Sequence, residues 1–201
     1  MMSARDPQRT RRELLDAAAA EIHRKGFQAA SLAAILSHTG VTKGALYHHF
    51  PNKKALGLAV LDRVEQTVLD LWVRPLEGAD DPVRAFQEAL RRAAASLEPA
   101  DIELGCPLNN LAQELSAVDE EFRARVVAVY DKWREGIARA LARGQGRGTV
   151  DPTVDPRTVA AFVVASLTGG RGLAKTARSP ELLDVCVRGL SAYLDTLRAR
   201  R

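Results

Sequence analysis

An all-α fold is predicted by three features of this sequence. Apolar residues recur every three or four positions, capping residues precede these periodic segments, and prolines or glycines follow them. The 201 residues contain no convincing strand alternation and no internal repeat. We therefore predict about nine helices, divided between an N-terminal three-helix domain over residues 1–52 and a larger helical domain over residues 53–201.

Two short helices joined by a tight turn are predicted near the N-terminus. Ser31 can cap the first helix through its hydroxyl, and Gly40 can end it in a left-handed conformation that glycine adopts at low cost. Thr42 can cap the second helix, in which Leu46 and Phe50 are four positions apart and point back toward the first. The pattern is typical of a helix-turn-helix.

The outer face of the second helix carries residues suited to contact with DNA. Lys43 supplies a cation, Gly44 allows close approach, Tyr47 has a phenol and His48 an imidazole. A recognition helix places such groups at base edges and phosphates in the major groove. The alternative is an ordinary helical hairpin that packs inside an all-helical protein.

A longer stretch, from about Thr10 to Asp62, resembles the N-terminal domain of the TetR family of transcriptional regulators. The order, spacing and residue types agree over several segments. They are Leu14-Leu15-Asp16-Ala17-Ala18, Lys25-Gly26-Phe27, Ser31-Leu32 through Ile35, Gly40-Val41-Thr42-Lys43-Gly44-Ala45-Leu46-Tyr47-His48-His49-Phe50, and Asn52-Lys53-Lys54-Ala55-Leu56. The resemblance implies an all-helical homodimer, in which 1–52 is the helix-turn-helix DNA-binding domain and 53–201 is the effector-binding and dimerisation domain.

The resemblance also implies a set of DNA contacts. The residues at or near base edges would be Lys43, Gly44 and His48. The phosphate contacts would come from Ser31, Thr42, Tyr47 and Lys53.

The charge distribution independently favours a nucleic-acid partner. Residues 1–54 contain nine Lys or Arg and four Asp or Glu, a formal charge of +5, whereas the rest of the chain has 20 and 21, a charge of −1. A basic segment attracts phosphate in a manner that weakens with salt. The four histidines also lie in this segment, but His48 and His49 are adjacent and no cysteine is near, so we predict no metal site.

The remaining helices are predicted from caps and breakers. Asn52 can cap a long helix that continues to Val73, before Pro75, and Asp81-Pro82 opens the next one. A shorter helix begins at Pro107, and Ser116 can cap a long helix that ends in the glycine run 144–148. Two final helices are predicted, at Pro156 to Lys175 and Pro180 to Arg198.

These last two helices carry apolar stripes of mixed small and large side chains. One interpretation is that both close the core of a single chain. The resemblance favours a four-helix interface shared by two copies, because a twofold protein reads two half-sites. The predicted interface residues are Val159, Val163, Leu167, Leu182, Val185, Leu190 and Leu194.

An effector site is expected among aromatic and amide side chains of the larger domain, since ligand pockets are mainly apolar with a few polar groups. Core packing is the alternative for each aromatic residue. The candidates are Trp72, Phe86, Asn109, Asn110, Gln113, Tyr130, Trp133 and Phe162. No particular effector is indicated.

An enzyme is the main competing class, but its signatures are missing from the sequence. The glycine runs 144–148 and 169–172 lack the preceding strand and the Gly-Lys-Ser/Thr ending of a phosphate loop. No catalytic residues and no cofactor are predicted. The apolar run near 159–167 is too short to span a bilayer and no secretion signal is apparent, so we expect a cytoplasmic protein with reduced Cys106 and Cys186.

The sequence therefore predicts a ligand-responsive transcriptional regulator, most simply a repressor. We expect it to bind a palindromic double-stranded DNA operator as a homodimer and to be released by a small-molecule effector. The alternative is a DNA-binding regulator that has no ligand and responds to a partner protein.

Overall fold

The computed structural model describes residues 6–199, so Arg5, one of the basic residues counted above, lies outside the described part. Ten α-helices account for most of residues 6–199, which confirms the all-α prediction. They are α1 Pro7–Lys25, α2 Leu32–Thr39, α3 Lys43–His49, α4 Lys53–Trp72, α5 Pro82–Ala95, α6 Pro99–Leu104, α7 Pro107–Leu115, α8 Glu120–Gly146, α9 Pro156–Ala177 and α10 Pro180–Asp195. Within the same residues, no helix has the length and apolar character of a membrane span.

The short helix α6 is the addition to the nine helices expected. Pro99 occupies the start of this helix, which is not among the helix starts predicted above. Proline is favoured there because its missing N–H has no partner within the helix in any case. A capping box supports the start, in which the N–H of Glu98 donates to Asp101 at 3.1 Å.

The chain divides into two compact units. Unit 1 comprises Met1–Val64 and Pro107–Val126, and unit 2 comprises Glu65–Cys106 and Val127–Arg201. Unit 1 therefore adds α7 and the start of α8 to the N-terminal helices. The boundary predicted at residue 52 came from local sequence signals, which do not register the long-range contacts of residues 107–126.

The core of unit 1 is apolar and includes residues far apart in the chain. Phe27 and Phe122 pack with their ring centroids 4.9 Å apart. Both rings lie beside Gly57 of α4, where a β-carbon would collide with them. The fully buried or nearly buried side chains of this unit include Leu14, Ala18, Ile35, Leu46, Phe50, Leu56, Leu61, Leu108, Leu115 and Phe122.

The core of unit 2 contains a row of stacked aromatic side chains. Trp72 stacks on Phe86 at 5.7 Å and on Trp133 at 6.2 Å between ring centroids, and Tyr130 stacks on Trp133 at 6.5 Å. Stacked pairs contribute roughly 0.5–1.5 kcal/mol beyond their buried area. The row therefore fixes α4, α5 and α8 against one another within this unit.

Two predicted helix ends differ in the structure. Asp119, not Ser116, caps α8, because its Oδ1 accepts the N–H groups of Glu121 at 3.0 Å and Phe122 at 3.1 Å. Helix α10 stops at Asp195 instead of Arg198. The following residues instead form an isolated antiparallel bridge between Arg198 and Val150.

Candidate DNA-binding site and effector cavity

The helix-turn-helix forms through the caps that the sequence predicts. The hydroxyl of Ser31 accepts the N–H of Ala34 at 3.1 Å, and that of Thr42 accepts the N–H of Ala45 at 3.2 Å. Gly40 has φ 60° and ψ 19°, a left-handed conformation that disfavours residues with a side chain. Ser31 and Gly40 therefore define where α2 begins and ends, and Thr42 defines where α3 begins.

Helix α3 has one buried side and one exposed side. Leu46 is fully buried in the core of unit 1, and Phe50 is almost fully buried there. The exposed side, which we call the recognition face, consists of Thr42, Lys43, Gly44, Tyr47 and His48. All four outward residues predicted for α3 therefore lie on one accessible surface.

The recognition face carries a cation that is free of carboxylates. No carboxylate within residues 6–199 pairs with Lys43, and its Nζ lies 6.0 Å from the ring centroid of Tyr47. By contrast, Lys54 pairs with Asp119 and Glu121, both at 2.9 Å, and the hydrogen bond from Lys54 lowers the pKa of Asp119. Lys43 is therefore available to an anionic partner.

Lys53 differs from the other predicted DNA contacts. Its Nζ donates to the carbonyl of Gln28 at 2.9 Å and lies 5.0 Å from the ring centroid of Phe27. An ammonium has three donors, so a phosphate can still be bound beside this carbonyl. Ser31 is exposed, like the recognition face, and its hydroxyl also caps α2.

A contact that the sequence does not predict holds the turn after α1. The carboxylate of Glu114 on α7 accepts the N–H groups of Phe27 and Gln28, each at 2.7 Å. Gly26, at φ 83°, leaves room for it, since a β-carbon there would lie 2.9 Å from Glu114 Oε2. We call this arrangement the Glu114 clamp. The sequence shows the glutamate but not its partners, which are 86 and 87 positions away.

Unit 2 contains a cavity with an empty volume of about 560 Å³, part of it open to solvent. Helices α4, α5, α9 and α10 and the two residues that follow α5 supply its walls. The lining residues are Leu71, Trp72, Leu90, Ala93, Ala94, Ser96, Leu97, Ser166, Leu167, Gly170, Arg171, Leu183, Cys186, Val187 and Leu190.

The cavity includes one of the predicted effector residues, Trp72. Phe86 and Trp133 are buried in the aromatic row, and the indole Nε1 of Trp133 has no hydrogen-bond acceptor among the described residues. Tyr130 is half-buried, and burial raises its pKa to about 12, with a further contribution from Cys106. The phenol therefore stays protonated at neutral pH.

The other four predicted effector residues lie elsewhere. Asn109, Asn110 and Gln113 belong to α7 in unit 1, and the Gln113 side chain is exposed. Phe162 is 51% exposed and packs edge-on against Tyr193 with centroids 4.7 Å apart. The cavity is instead lined in part by small residues of α5 and α9, such as Ala94 and Ser166.

The seven residues predicted for a dimer interface differ in burial: four are buried, Leu167 and Leu182 are half-buried, and Val185 is exposed. Val159, Val163, Leu190 and Leu194 are buried in the core of unit 2 within a single chain. The interface prediction is corrected for these four, because they have no surface to offer a second copy. Leu167 is half-buried at the cavity wall.

The opposite sides of α9 and α10 are accessible and apolar. Val185 is 52% exposed and Leu173 is 57% exposed. Helical spacing places each of them on a face with small side chains. We call this surface the α9–α10 face, and it consists of Phe162, Ala165, Gly169, Leu173, Leu182, Val185, Gly189 and Ala192.

The capped helix-turn-helix with its exposed recognition face defines a DNA-binding protein of the helix-turn-helix class. Comparison with known proteins identifies the group within that class. Residues 14–60 match the model of bacterial regulatory proteins of the tetR family, and residues 82–190 match the tetracyclin repressor-like C-terminal domain. The chain belongs to the TetR family of transcriptional regulators.

Individual relatives agree with this assignment. A TetR transcriptional regulator from Chloroflexus aurantiacus is 30% identical, with a TM-score of 0.84 over 98% of this chain and 100% of that one. The transcriptional repressor DhaR of a Mycobacterium species is 28% identical over 80% of this chain and 79% of its own. The protein chain of a SmeT–triclosan complex is 25% identical, with a TM-score of 0.78 over 96% of this chain and 93% of that one. These relatives are transcriptional regulators, which agrees with the prediction that the chain is not an enzyme.

Proposed function

We propose that this regulator is a dimeric repressor that binds a near-palindromic operator and leaves it when a small molecule binds unit 2. The observation that carries the proposal is the exposed recognition face on α3, with Lys43 unpaired by any described carboxylate. Two copies of that face would read half-sites about 34–36 Å apart, one turn of DNA. The relative DhaR is named a transcriptional repressor, which supports repression and not activation.

Each protomer would use the predicted contact set on one half-site. Lys43, Gly44 and His48 lie at or near base edges, since N-terminal residues of a recognition helix reach deepest into the groove. Phosphates would be held by the hydroxyls of Ser31, Thr42 and Tyr47 and by Lys53. The capping hydroxyls can serve both roles because an oxygen that accepts an N–H can still donate its proton.

The Lys43→Ala variant tests the DNA-binding proposal. We expect operator affinity to fall by about 1–3 kcal/mol because a base-edge contact is lost, and the slope of log affinity against log salt to become smaller because the recognition face loses a cation. Fluorescence anisotropy would measure both, on the DNA that footprinting finds protected near the chain's own gene. Arg91, exposed on α5 in unit 2, provides the control. Equal affinity and slope for Lys43→Ala and Arg91→Ala would contradict the assignment.

Dimerisation would use the α9–α10 face. Its small residues permit close approach of helices, and its large residues gain burial. A twofold axis would bring α9 and α10 of each copy into one four-helix interface. The exposure of Leu173 and Val185 supports this location, in place of the buried residues of the initial prediction.

Release would follow from a difference in effector affinity between two states of the dimer. An effector that binds the state with more widely separated recognition helices lowers DNA affinity by the ratio of its two affinities. We propose that two helices link effector binding to the position of the recognition helices. They are α4, which begins in unit 1 and ends in unit 2, and α7, which belongs to unit 1. The triclosan complex of SmeT supports a small-molecule effector. Titration of metabolites against the operator complex tests release, and a persistent failure of every compound would favour the protein-partner alternative.

A further inference from the structure

The wall of the unit 2 cavity carries one charged side chain among its described lining residues, Arg171 of α9. Its Nη2 donates to the backbone carbonyls of Gly105 at 2.7 Å and Asp101 at 3.2 Å. No carboxylate within residues 6–199 forms an ion pair with it. The guanidinium is therefore held in place without being neutralised.

This arrangement has an electrostatic consequence. Carbonyl oxygens satisfy part of the guanidinium's hydrogen-bonding capacity, but its charge stays, and a cation beside an apolar, half-buried wall is poorly solvated. Arginine has five N–H donors in a planar fork, and the two bonds above use those of one nitrogen. The Nε and Nη1 donors are left for an anion, and a carboxylate matches the fork geometry.

The rest of the wall is mostly apolar, with Ser96, Ser166 and Cys186 as its other polar residues. Leucine side chains from all four helices surround it, and Trp72 adds an aromatic surface. The hydroxyl of Ser96 is already bonded to the carbonyl of Ala93 at 2.9 Å. A ligand with more than one charge would meet a single cation, so its additional charges would remain unpaired at a desolvation cost.

We propose that the effector is a hydrophobic monocarboxylate whose carboxylate binds Arg171 and whose aliphatic or aromatic body fills the cavity. This rests on the proposed function, in which unit 2 binds the effector, and it adds the chemical class. The apolar body of the effector can vary, whereas its single negative charge is required.

Calorimetry of the full chain without DNA tests the class directly. The probes are octanoate with its neutral counterpart octan-1-ol, and 2-naphthoate with 2-naphthamide. We expect at least one acid to bind roughly tenfold or more tightly than its neutral counterpart, since a charge-assisted hydrogen bond contributes about 1.5–3 kcal/mol. If neither acid shows a preference over its neutral counterpart, the proposal is overturned.

Two variants of Arg171 locate the preference. Arg171→Gln can still donate to a backbone carbonyl but has no charge, so the acid should lose its advantage while the neutral compound binds as before. Arg171→Lys keeps the charge without the fork and should retain part of the preference. Circular dichroism would verify that both variants fold. An unchanged preference in Arg171→Gln would show that the acid binds elsewhere.

A matched pair of alanines on α5 separates the cavity from the surface. Ala94 lines the cavity and Ala95 is an exposed neighbour outside the lining. Ala94→Leu should weaken binding of both the acid and its neutral counterpart by filling the site, and Ala95→Leu should leave them unchanged. Because operator binding is measured separately by anisotropy, a chain that binds DNA but no acid refutes only the effector class.

Discussion

Val185→Asp is expected to leave the protein monomeric and to lower its operator affinity by about a hundredfold or more. Val185 is 52% exposed on the α9–α10 face, so a single chain tolerates the change. In an isologous interface the same position occurs twice, and each copy would bury a carboxylate without a partner. A monomer contacts one half-site and loses the gain from simultaneous binding of two.

The matched control is Val127→Asp. Val127 is 43% exposed on α8, outside the α9–α10 face, and the substitution is chemically identical. Sedimentation equilibrium should show a monomer for Val185→Asp and a dimer for Val127→Asp at micromolar concentration, with anisotropy reporting operator affinity. A Val185→Asp protein that stays dimeric and binds the operator normally would place the interface on another surface.

The helix-turn-helix was predictable because its determinants are local. Ser31, Gly40 and Thr42 each act on backbone groups within four residues, and the structure confirms all three. Leu46 and Phe50 lie on the buried side through helical periodicity alone. Residue type and spacing therefore suffice for the geometry of this element.

The apolar stripes of α9 and α10 show where periodicity stops being informative. Apolar side chains occur on more than one side of these helices, so spacing cannot distinguish the side packed in unit 2 from the side left accessible. Val163 and Leu194 face the core, whereas Leu173 and Val185 are exposed. The difference comes from packing against the other helices of unit 2, which the stripe does not encode.

The cavity escaped prediction for a related reason. Large aromatic residues were expected to line it, but Phe86 and Trp133 fill space in the core. A cavity forms where side chains are small, and Ala94 of α5 comes together with Ser166 and Gly170 of α9. Their proximity depends on tertiary packing, so no local spacing predicts it.

The Glu114 clamp leads to the second large effect. Glu114→Ala removes an acceptor shared by the N–H groups of Phe27 and Gln28, each bonded at 2.7 Å. A part-buried donor without an acceptor costs about 1–3 kcal/mol, and the more exposed Gln28 can turn to water. We therefore expect the free energy of unfolding of unit 1 to fall by roughly 2–3 kcal/mol.

Two optical probes can assign this loss to unit 1. Both tryptophans of the chain, Trp72 and Trp133, lie in unit 2, whereas far-UV circular dichroism reports helices throughout. In urea, Glu114→Ala should lower the circular dichroism midpoint more than the tryptophan fluorescence midpoint if the units unfold separately. Equal shifts would mean that both units unfold together, with the same energetic cost.

Substitutions at Gln113 and at Glu114 itself test whether the lost hydrogen bonds cause the loss of stability. Gln113→Ala changes an exposed side chain one position away and should leave stability unchanged within about 0.5 kcal/mol. Glu114→Gln keeps one acceptor oxygen but presents an amide donor to the second N–H, so its loss should be intermediate. A Glu114→Ala protein as stable as Gln113→Ala would refute the clamp. Because the clamped turn belongs to the unit that carries the recognition face, operator affinity should decrease in the same order as stability.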